Sequence, residues 1–286
     1  MNRLPAVARR SPVIVITGAS TGIGRALAFA WAARAARLVL NARSVDALEE
    51  VAATCRVRGA DAVVVPGDIT SAAVQEALVE GARTHFQSNP PSPAGGIDVL
   101  VNNAGVGLYG TVDAIAPAML REVFELNVVA PLRVTQLALP ALEAARGTVV
   151  MMSSIAGLVA MPRTGGYAAT KFALEALSWS LRAELEAQGR PVRLCVVRPG
   201  LTETPFAENA RVAEGSSTRS GMQGVPRMSA EEVAQATLRA VDRGDPEVNL
   251  TFAARAMTAL GRLSRPALRA VLTRMAPRLG VPRGRG

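Results

Sequence analysis

Val13-Ile14-Val15-Ile16-Thr17-Gly18-Ala19-Ser20-Thr21-Gly22-Ile23-Gly24 is the stretch whose reading decides the fold. From Pro12 to Thr17 it is a continuous apolar run, the mark of a strand buried on both faces in a parallel sheet. A glycine turn follows and leads straight into Arg25-Ala26-Leu27-Ala28-Phe29-Ala30-Trp31, a helical pattern. Strand, glycine turn and helix together open a dinucleotide-binding unit. Glycines let the backbone turn tightly and approach a pyrophosphate, which rests on the helix N-terminus. The spacing here is GxxxGxG, not the more common GxGxxG.

Strands and helices alternate outward from this stretch. The second strand, Arg37–Asn41, ends in Ala42-Arg43-Ser44. Units that bind NAD commonly place an acidic residue here for the ribose 2′-hydroxyl. An arginine can pair with a 2′-phosphate instead, so Arg43 favours NADP(H), with NAD(H) as the alternative. A helix over 45–58 and a strand over 62–65 lead to Gly67-Asp68-Ile69, where Asp68 either contacts an adenine amino group or caps the helix beginning near Ser71. Residues 88–96 read as a surface loop. The fourth strand, Ile97–Val101, runs into Asn102-Asn103-Ala104-Gly105, whose amides can tie strand ends together beside a cofactor. A helix over about 117–139 holds Asn127 among apolar neighbours, as a structural tie or a water-holding group.

The fifth strand, Thr148–Met152, delivers Ser153-Ser154 at its C-terminal end, where open α/β sheets bind their ligands. Tyr167 and Lys171 follow on a helix running to about Gln188, four residues apart and therefore on one face. An ammonium beside a phenol favours the phenolate and makes tyrosine a usable general acid/base. Lys171 is the only lysine in the chain, and Tyr167 one of two tyrosines. The sixth strand, 192–197, ends in Arg198-Pro199-Gly200 and reaches Thr204. Residues 205–227 show little periodicity and read as a lid or as a plain surface loop. Ser229 caps a helix over 230–243, and 247–252 is the last strand. The pattern predicts an α/β, Rossmann-like, doubly wound parallel sheet with helices on both faces, forming a single unit over residues 1–252.

Composition narrows the classes. A chain of 286 residues with 49% hydrophobic content can bury a large core. Cys55 and Cys195 read as reduced core thiols. His85 has no partner at metal-ligand spacing, so no metal is expected. No run approaches the ~20 apolar residues of a membrane span, and a cytoplasmic location is expected. The net charge of +9 owes most to eight arginines between Thr251 and Gly286, where no acidic residue stands. The basic balance belongs to a tail, and nucleic acid is not expected as a partner.

Taken jointly, Thr17-Gly18-Ala19-Ser20-Thr21-Gly22-Ile23-Gly24, Asp68, Asn102-Asn103-Ala104-Gly105, Asn127, Ser154, Tyr167-x-x-x-Lys171 and Pro199-Gly200 with Thr204 resemble the classical short-chain dehydrogenase/reductase family over about residues 12–205. The resemblance implies a sheet of about seven strands and hydride transfer between a nicotinamide and a carbonyl or alcohol carbon. It implies Tyr167 as the proton donor or acceptor, Lys171 on the nicotinamide ribose holding down the Tyr167 pKa, and Ser154 on the substrate oxygen. Asn127 would hold a water linking Lys171 to solvent. The cofactor would lie against Gly18, Ser20, Thr21, Gly22, Ile23, Gly24, Arg43, Asp68, Ile69, Asn103, Ala104, Gly105, Tyr167, Lys171, Pro199, Gly200 and Thr204. Pairing of the helices around Asn127 and Tyr167 across subunits implies a homodimer or homotetramer.

Residues 253–286 fall outside the resemblance and form a basic tail. Leu268, Val271, Leu272 and Met275 share one face of a helical pattern, with arginines elsewhere around it. Such a helix suits an anionic membrane surface, the substrate pocket or a partner subunit. The leading expectation is an NADP(H)-dependent oxidoreductase acting on a small carbonyl or alcohol. The alternatives are a non-catalytic cofactor-binding sensor or scaffold, and a peripheral membrane reductase of lipid-derived carbonyls.

Overall fold

A computed structural model describes residues 11–86, 96–216, 226–251, 256, 259, 263–277, 279 and 281. The first half of the chain forms β1 (Val13–Thr17), α1 (Gly22–Ala32), β2 (Arg37–Ala42), α2 (Val45–Val57), β3 (Asp61–Pro66), α3 (Ala72–His85) and β4 (Val99–Asn102). Then come β5 (Leu108–Tyr109), α4 (Pro117–Phe124), α5 (Ala130–Ala145), β6 (Thr148–Met152), α6 (Gly165–Ala187) and β7 (Arg193–Arg198). The remainder forms β8 (Thr202–Glu203), β9 (Arg211–Val212), β10 (Met228–Ser229), α7 (Ala230–Arg243), β11 (Glu247–Asn249) and α8 (Arg265–Met275).

Seven strands make one parallel sheet in the order β11-β7-β6-β4-β1-β2-β3. Each residue of β1 is buried, because successive side chains enter opposite faces of the sheet. Ile14 and Ile16 pack under α1, α2 and α7 with Leu27, Trp31, Leu48 and Leu238. Val13 and Val15 pack under α3, α5 and α6 with Leu78, Val134, Leu142 and Leu174. The sheet is therefore Rossmann-like and covered on both faces. The chain winds outward from β1 to β3, then returns to the other side of β1 as β4. That reversal opens a crevice at the C-terminal ends of β1 and β4, where such folds seat their ligands.

The helix expected over 117–139 is broken and longer. Glu125–Val129 form a π-turn between α4 and α5, and α5 continues through Pro140 to Ala145. Proline removes one helical hydrogen bond, but Ala138, Ala141 and Leu142 keep the apolar stripe in the core, and packing prevails. The segment read as an irregular lid contains regular structure among its described residues. Within it β9 pairs with β5, and β10 at its end pairs with β8. The last strand stops at Asn249. At the start of α7, Ser229 and Glu232 bond each other's backbone reciprocally, at 3.1 and 2.8 Å.

Expectations for residues 1–10, 87–95, 217–225, most of 252–262 and 282–286 lie outside the described residues. Among the described residues, no helix is long and apolar enough to cross a membrane.

Candidate active site

Backbone without side chains lines the crevice between β1 and β4. Gly18 has φ +66°, and a Cβ there would lie 2.9 Å from the Cα of Ala104. Gly24 packs still closer, since a Cβ would fall 2.1 Å from the Gly18 carbonyl oxygen. Gly22 faces Thr204, whose Cγ2 would be 3.1 Å from an added Cβ. The Pro199–Thr204 stretch thus lies over the glycine turn. Thr21, at the start of α1, makes no side-chain cap bond. Bare glycine backbone ahead of an uncapped helix N-terminus is the cradle a pyrophosphate requires, so the residues present fit a dinucleotide. Ser20 and Ile23 are half-buried in this turn, and Thr21 is exposed.

The Asn102-Asn103 pair holds the crevice in shape. Asn103 donates its side-chain amide to the carbonyls of Thr17 at 2.9 Å and Gly18 at 3.1 Å. The backbone N–H groups of Asn103 and Ala104 both donate to the Thr17 hydroxyl at 3.0 Å. Asn102 turns the other way and donates to Thr135 of α5 at 2.9 Å. These bonds tie the ends of the two buried strands together, with the Asn103 amide seated against the glycine turn and the Asn102 amide oxygen left without a partner among the described residues.

Arg43 and Asp68 are both exposed, at the ends of β2 and β3. The Asp68 carboxylate accepts from the Thr70 N–H at 2.9 Å and from its hydroxyl at 2.8 Å. The Thr70 N–H holds its pKa below the usual range; burial opposes this, while the Thr70 hydroxyl and the Arg43 charge add to it. Asp68 thus caps the turn just ahead of α3, at Thr70. Ile69 directs its side chain into the core, and its carbonyl accepts from Gln75 at 2.8 Å.

Ser154, Tyr167, Lys171 and Asn127 converge at the C-terminal end of β6. Ser154 caps the short 3-10 turn that follows it, accepting from the Ala156 N–H at 3.1 Å, and its hydroxyl lies near enough to the Tyr167 hydroxyl to act on that group's pKa. Lys171 is 5% exposed, lies 5.8 Å from the Tyr167 ring centre, and donates to the Met152 carbonyl at 2.8 Å. Burial pushes its ammonium down to about 8, against the pull of Glu175. The expected lowering of the Tyr167 pKa is corrected here. Burial raises it, the Ser154 hydroxyl opposes the rise, and Tyr109 adds to it. Desolvating a phenol disfavours its anion, and the Lys171 ammonium, bonded to the Met152 carbonyl, is not among the groups that offset this.

Asn127 sits in the π-turn with 1% exposure. Its side chain accepts from Val106 N–H at 2.9 Å and donates to the Val106 carbonyl at 2.9 Å and the Thr170 hydroxyl at 3.1 Å. Both of its amide functions are engaged with protein, as the tie the sequence allowed. Gly105 separates Asn127 from Lys171, for an added Cβ would lie 3.1 Å from the amide oxygen and 3.8 Å from the ammonium.

Several neighbours of this cluster escaped the sequence reading. Phe206 sets its ring edgewise on Tyr167, with centres 5.5 Å apart. Tyr109 approaches from β5. Arg198, read only as a strand end, is 1% exposed and pairs with Glu175 and Glu247, each at 2.7 Å. The available signal was an acidic residue, Glu175, one turn beyond Lys171 and beside Leu174 on the face of α6 that enters the core.

The tail reaches the same side of the molecule. On α8, Leu268, Val271, Leu272 and Met275 are half-buried, while Arg269 and Arg274 are exposed. Beyond the helix, Arg163, just ahead of α6, donates to the Leu279 carbonyl at 2.8 Å, and Leu279 is 5% exposed.

Comparison with known proteins agrees with this architecture. The sequence pattern described as short chain dehydrogenase matches residues 12–215. Dehydrogenase/reductase SDR family member 7B of Mus musculus is 33% identical over 247 residues, covering 85% of this chain and 74% of that protein. Among solved structures, a Thermococcus sibiricus alcohol dehydrogenase complexed with 5-hydroxy-NADP superposes with TM-score 0.71 at 28% identity, covering 84% of this chain and 96% of that one. A short chain dehydrogenase/reductase of Burkholderia phymatum in complex with NAD gives TM-score 0.80 at 25% identity, covering 90% and 95%. A family match over most of the chain, carried on this sheet and this cluster of residues, places the protein in the short-chain dehydrogenase/reductase family of oxidoreductases.

Proposed function

We propose that the chain is an NADP(H)-dependent reductase or dehydrogenase of a carbonyl or alcohol carbon, with Tyr167 as its general acid/base. The observation that carries this reading is the convergence of Ser154, Tyr167 and Lys171 beside a glycine-lined crevice that fits a dinucleotide. A bound nicotinamide would supply or take the hydride. Tyr167 gives its hydroxyl proton to the substrate oxygen in the reductive direction and recovers it in the oxidative one. A phenol kept protonated by burial suits the donor role. Ser154 donates to the same oxygen and stabilises the charge that develops there. Lys171, once its ammonium turns from Met152, binds the nicotinamide ribose, and Asn127 fixes the turn of α6 that carries it. Phe206 and Tyr109 border the substrate.

Arg43 is exposed at the end of β2 and would take the 2′-phosphate that distinguishes NADP(H) from NAD(H). We further propose that the protein is a homodimer or homotetramer. Phe172 and Trp179 lie on one face of α6 and are 43% and 46% exposed, and Val129, beside Asn127, is 43% exposed. Large apolar side chains grouped this way suit packing of α6 and the Asn127 helix against a second copy.

The test pairs nucleotide titration with the Tyr167→Phe variant. NADPH should quench or enhance protein fluorescence at lower concentration than NADH does. The variant should bind NADPH about as well and lose turnover of a broad carbonyl panel by at least about 100-fold, the scale of a lost general acid. Retained turnover would remove Tyr167 from the proton route.

A further inference from the structure

Arg198 and Glu175 form a fully buried ion pair directly beneath the residues just described. Two parallel bonds join them, Nε to Oε1 at 2.8 Å and Nη2 to Oε2 at 2.7 Å, and both side chains are 1% exposed. Arg198 ends β7, immediately before Pro199-Gly200, while Glu175 stands one helical turn beyond Lys171 on α6. The guanidinium also donates to Glu247 at 2.7 Å and to Asn249 at 3.4 Å, both on β11. Burial works against the arginine's charge, but its hydrogen bonds to both glutamates outweigh that and hold its pKa above the ordinary value.

The stem of Glu175 is equally confined. Gly157, in the turn capped by Ser154, admits no side chain. A Cβ there would lie 2.9 Å from Glu175 Cγ, 2.9 Å from Ser153 Oγ and 3.1 Å from the Lys171 carbonyl. The same turn is bonded to β7, with Ser153 N–H on the Val197 carbonyl at 2.8 Å and Ile155 N–H on the Pro199 carbonyl at 3.2 Å. One carboxylate therefore touches the turn after Ser154, the helix of Tyr167 and Lys171, and the strand that leads into Pro199-Gly200. A buried ion pair is a costly way to join elements that leucines could join. What a carboxylate adds is a fixed negative charge.

We propose that Glu175, clamped by Arg198, is a positioning residue for Lys171: its buried carboxylate fixes the lysine's turn of α6 and keeps the ammonium charged. This rests on the reading of Lys171 given above and extends it. Desolvation drives a buried ammonium toward neutrality, and Glu175 is the charge that opposes this at Lys171. The other ionisable groups facing the cluster are Tyr167 on the same helix, Tyr109 on β5, Arg198 on β7 and Glu247 on β11. Arg182, further along α6, pairs with Glu247 at 3.4 Å and is thereby turned away from Lys171.

The single lysine makes a direct test possible. Lysine labelled with carbon-13 at Cε gives one side-chain resonance, and its titration reads the protonation of Lys171 without any substrate. Glu175→Gln removes the charge and keeps the shape. Should that leave Arg198 too poorly compensated to fold, Glu175→Gln with Arg198→Gln removes both charges together. In Glu175→Gln the midpoint should fall by about one pH unit, the scale of a nearby charge at an effective dielectric near 20, and in the double variant by less, because the opposing Arg198 charge is lost as well. A folded Glu175→Gln protein whose lysine titrates as in the wild type overturns the proposal, as does a double variant whose lysine midpoint rises. Failure of the Tyr167 assignment would appear separately, as turnover surviving in Tyr167→Phe.

Discussion

Lys171 donates from its Nζ to the carbonyl of Met152 at 2.8 Å, so the chain's only lysine ties the middle of α6 to the last residue of β6. The charge on that side chain is almost wholly withdrawn from water. The neighbouring Glu175 compensates only in part, since burial dominates and the pKa settles at about 8.

Stability should therefore depend on pH in a predictable sense. The folded value of about 8 lies below the ordinary 10.5. Between these values the unfolded chain binds more protons, and stability rises with pH across that window. The cost of the buried charge is fully present below about pH 8 and is relieved above it. Lys171→Met has no such titration. The stability of the wild type relative to the variant should rise by about 1–3 kcal/mol between pH ~7 and pH ~10. Urea denaturation of both proteins across that range measures it, and thiol and phenol titrations common to both cancel. A constant difference would mean that Lys171 is charged and solvated throughout.

Arg43→Ala should weaken NADPH binding selectively. A charge-assisted phosphate contact contributes about 1.5–3 kcal/mol, which corresponds to roughly a ten- to hundredfold change in Kd. NADH affinity should barely move, because no 2′-phosphate is present to lose its partner. Parallel fluorescence titrations would settle the matter. An unchanged ratio of the two affinities would leave Arg43 as a solvated strand-end arginine.

Phe172→Glu should shift the protein toward smaller species. The ring is 43% exposed on α6, so the substitution creates no cavity within one subunit. A charge in an apolar contact between copies costs several kcal/mol after desolvation. Sedimentation velocity should show the wild type as a dimer or tetramer and the variant as a monomer with an unchanged melting profile. A wild type that sediments as a monomer would refute the assembly.

Most of the frame was legible because it rests on local patterns. An apolar run followed by spaced glycines and a helical stripe has few readings, and β1, the glycine turn and α1 fall where the sequence places them. Asn103 was likewise legible as a tie between strand ends. What escaped was governed by distant partners. A π-turn adds one residue to a helical loop without requiring any particular residue type, so nothing around Asn127 announces it. Arg198 ends an apolar strand, where arginine ordinarily reaches for solvent; its burial follows from Glu175 and Glu247, far away in the chain. Two-residue strands such as β5 and β9 are too short for periodicity to register. The phenol of Tyr167 was misjudged because spacing reveals that a lysine is near but not how much water both groups have lost.

The pairing of β5 with β9 joins the stretch after β7 to the core through main-chain groups, with Arg211 N–H on the Gly107 carbonyl and Ala213 N–H on the Tyr109 carbonyl, each at 2.8 Å. No side chain takes part in those bonds. Phe206, which rests on Tyr167, hangs from the same stretch. What holds this stretch to the core and what the stretch presents to Tyr167 are thus separate: substitution of Phe206 can change the surface that meets the tyrosine while the main-chain bonds of β5 and β9 stay intact.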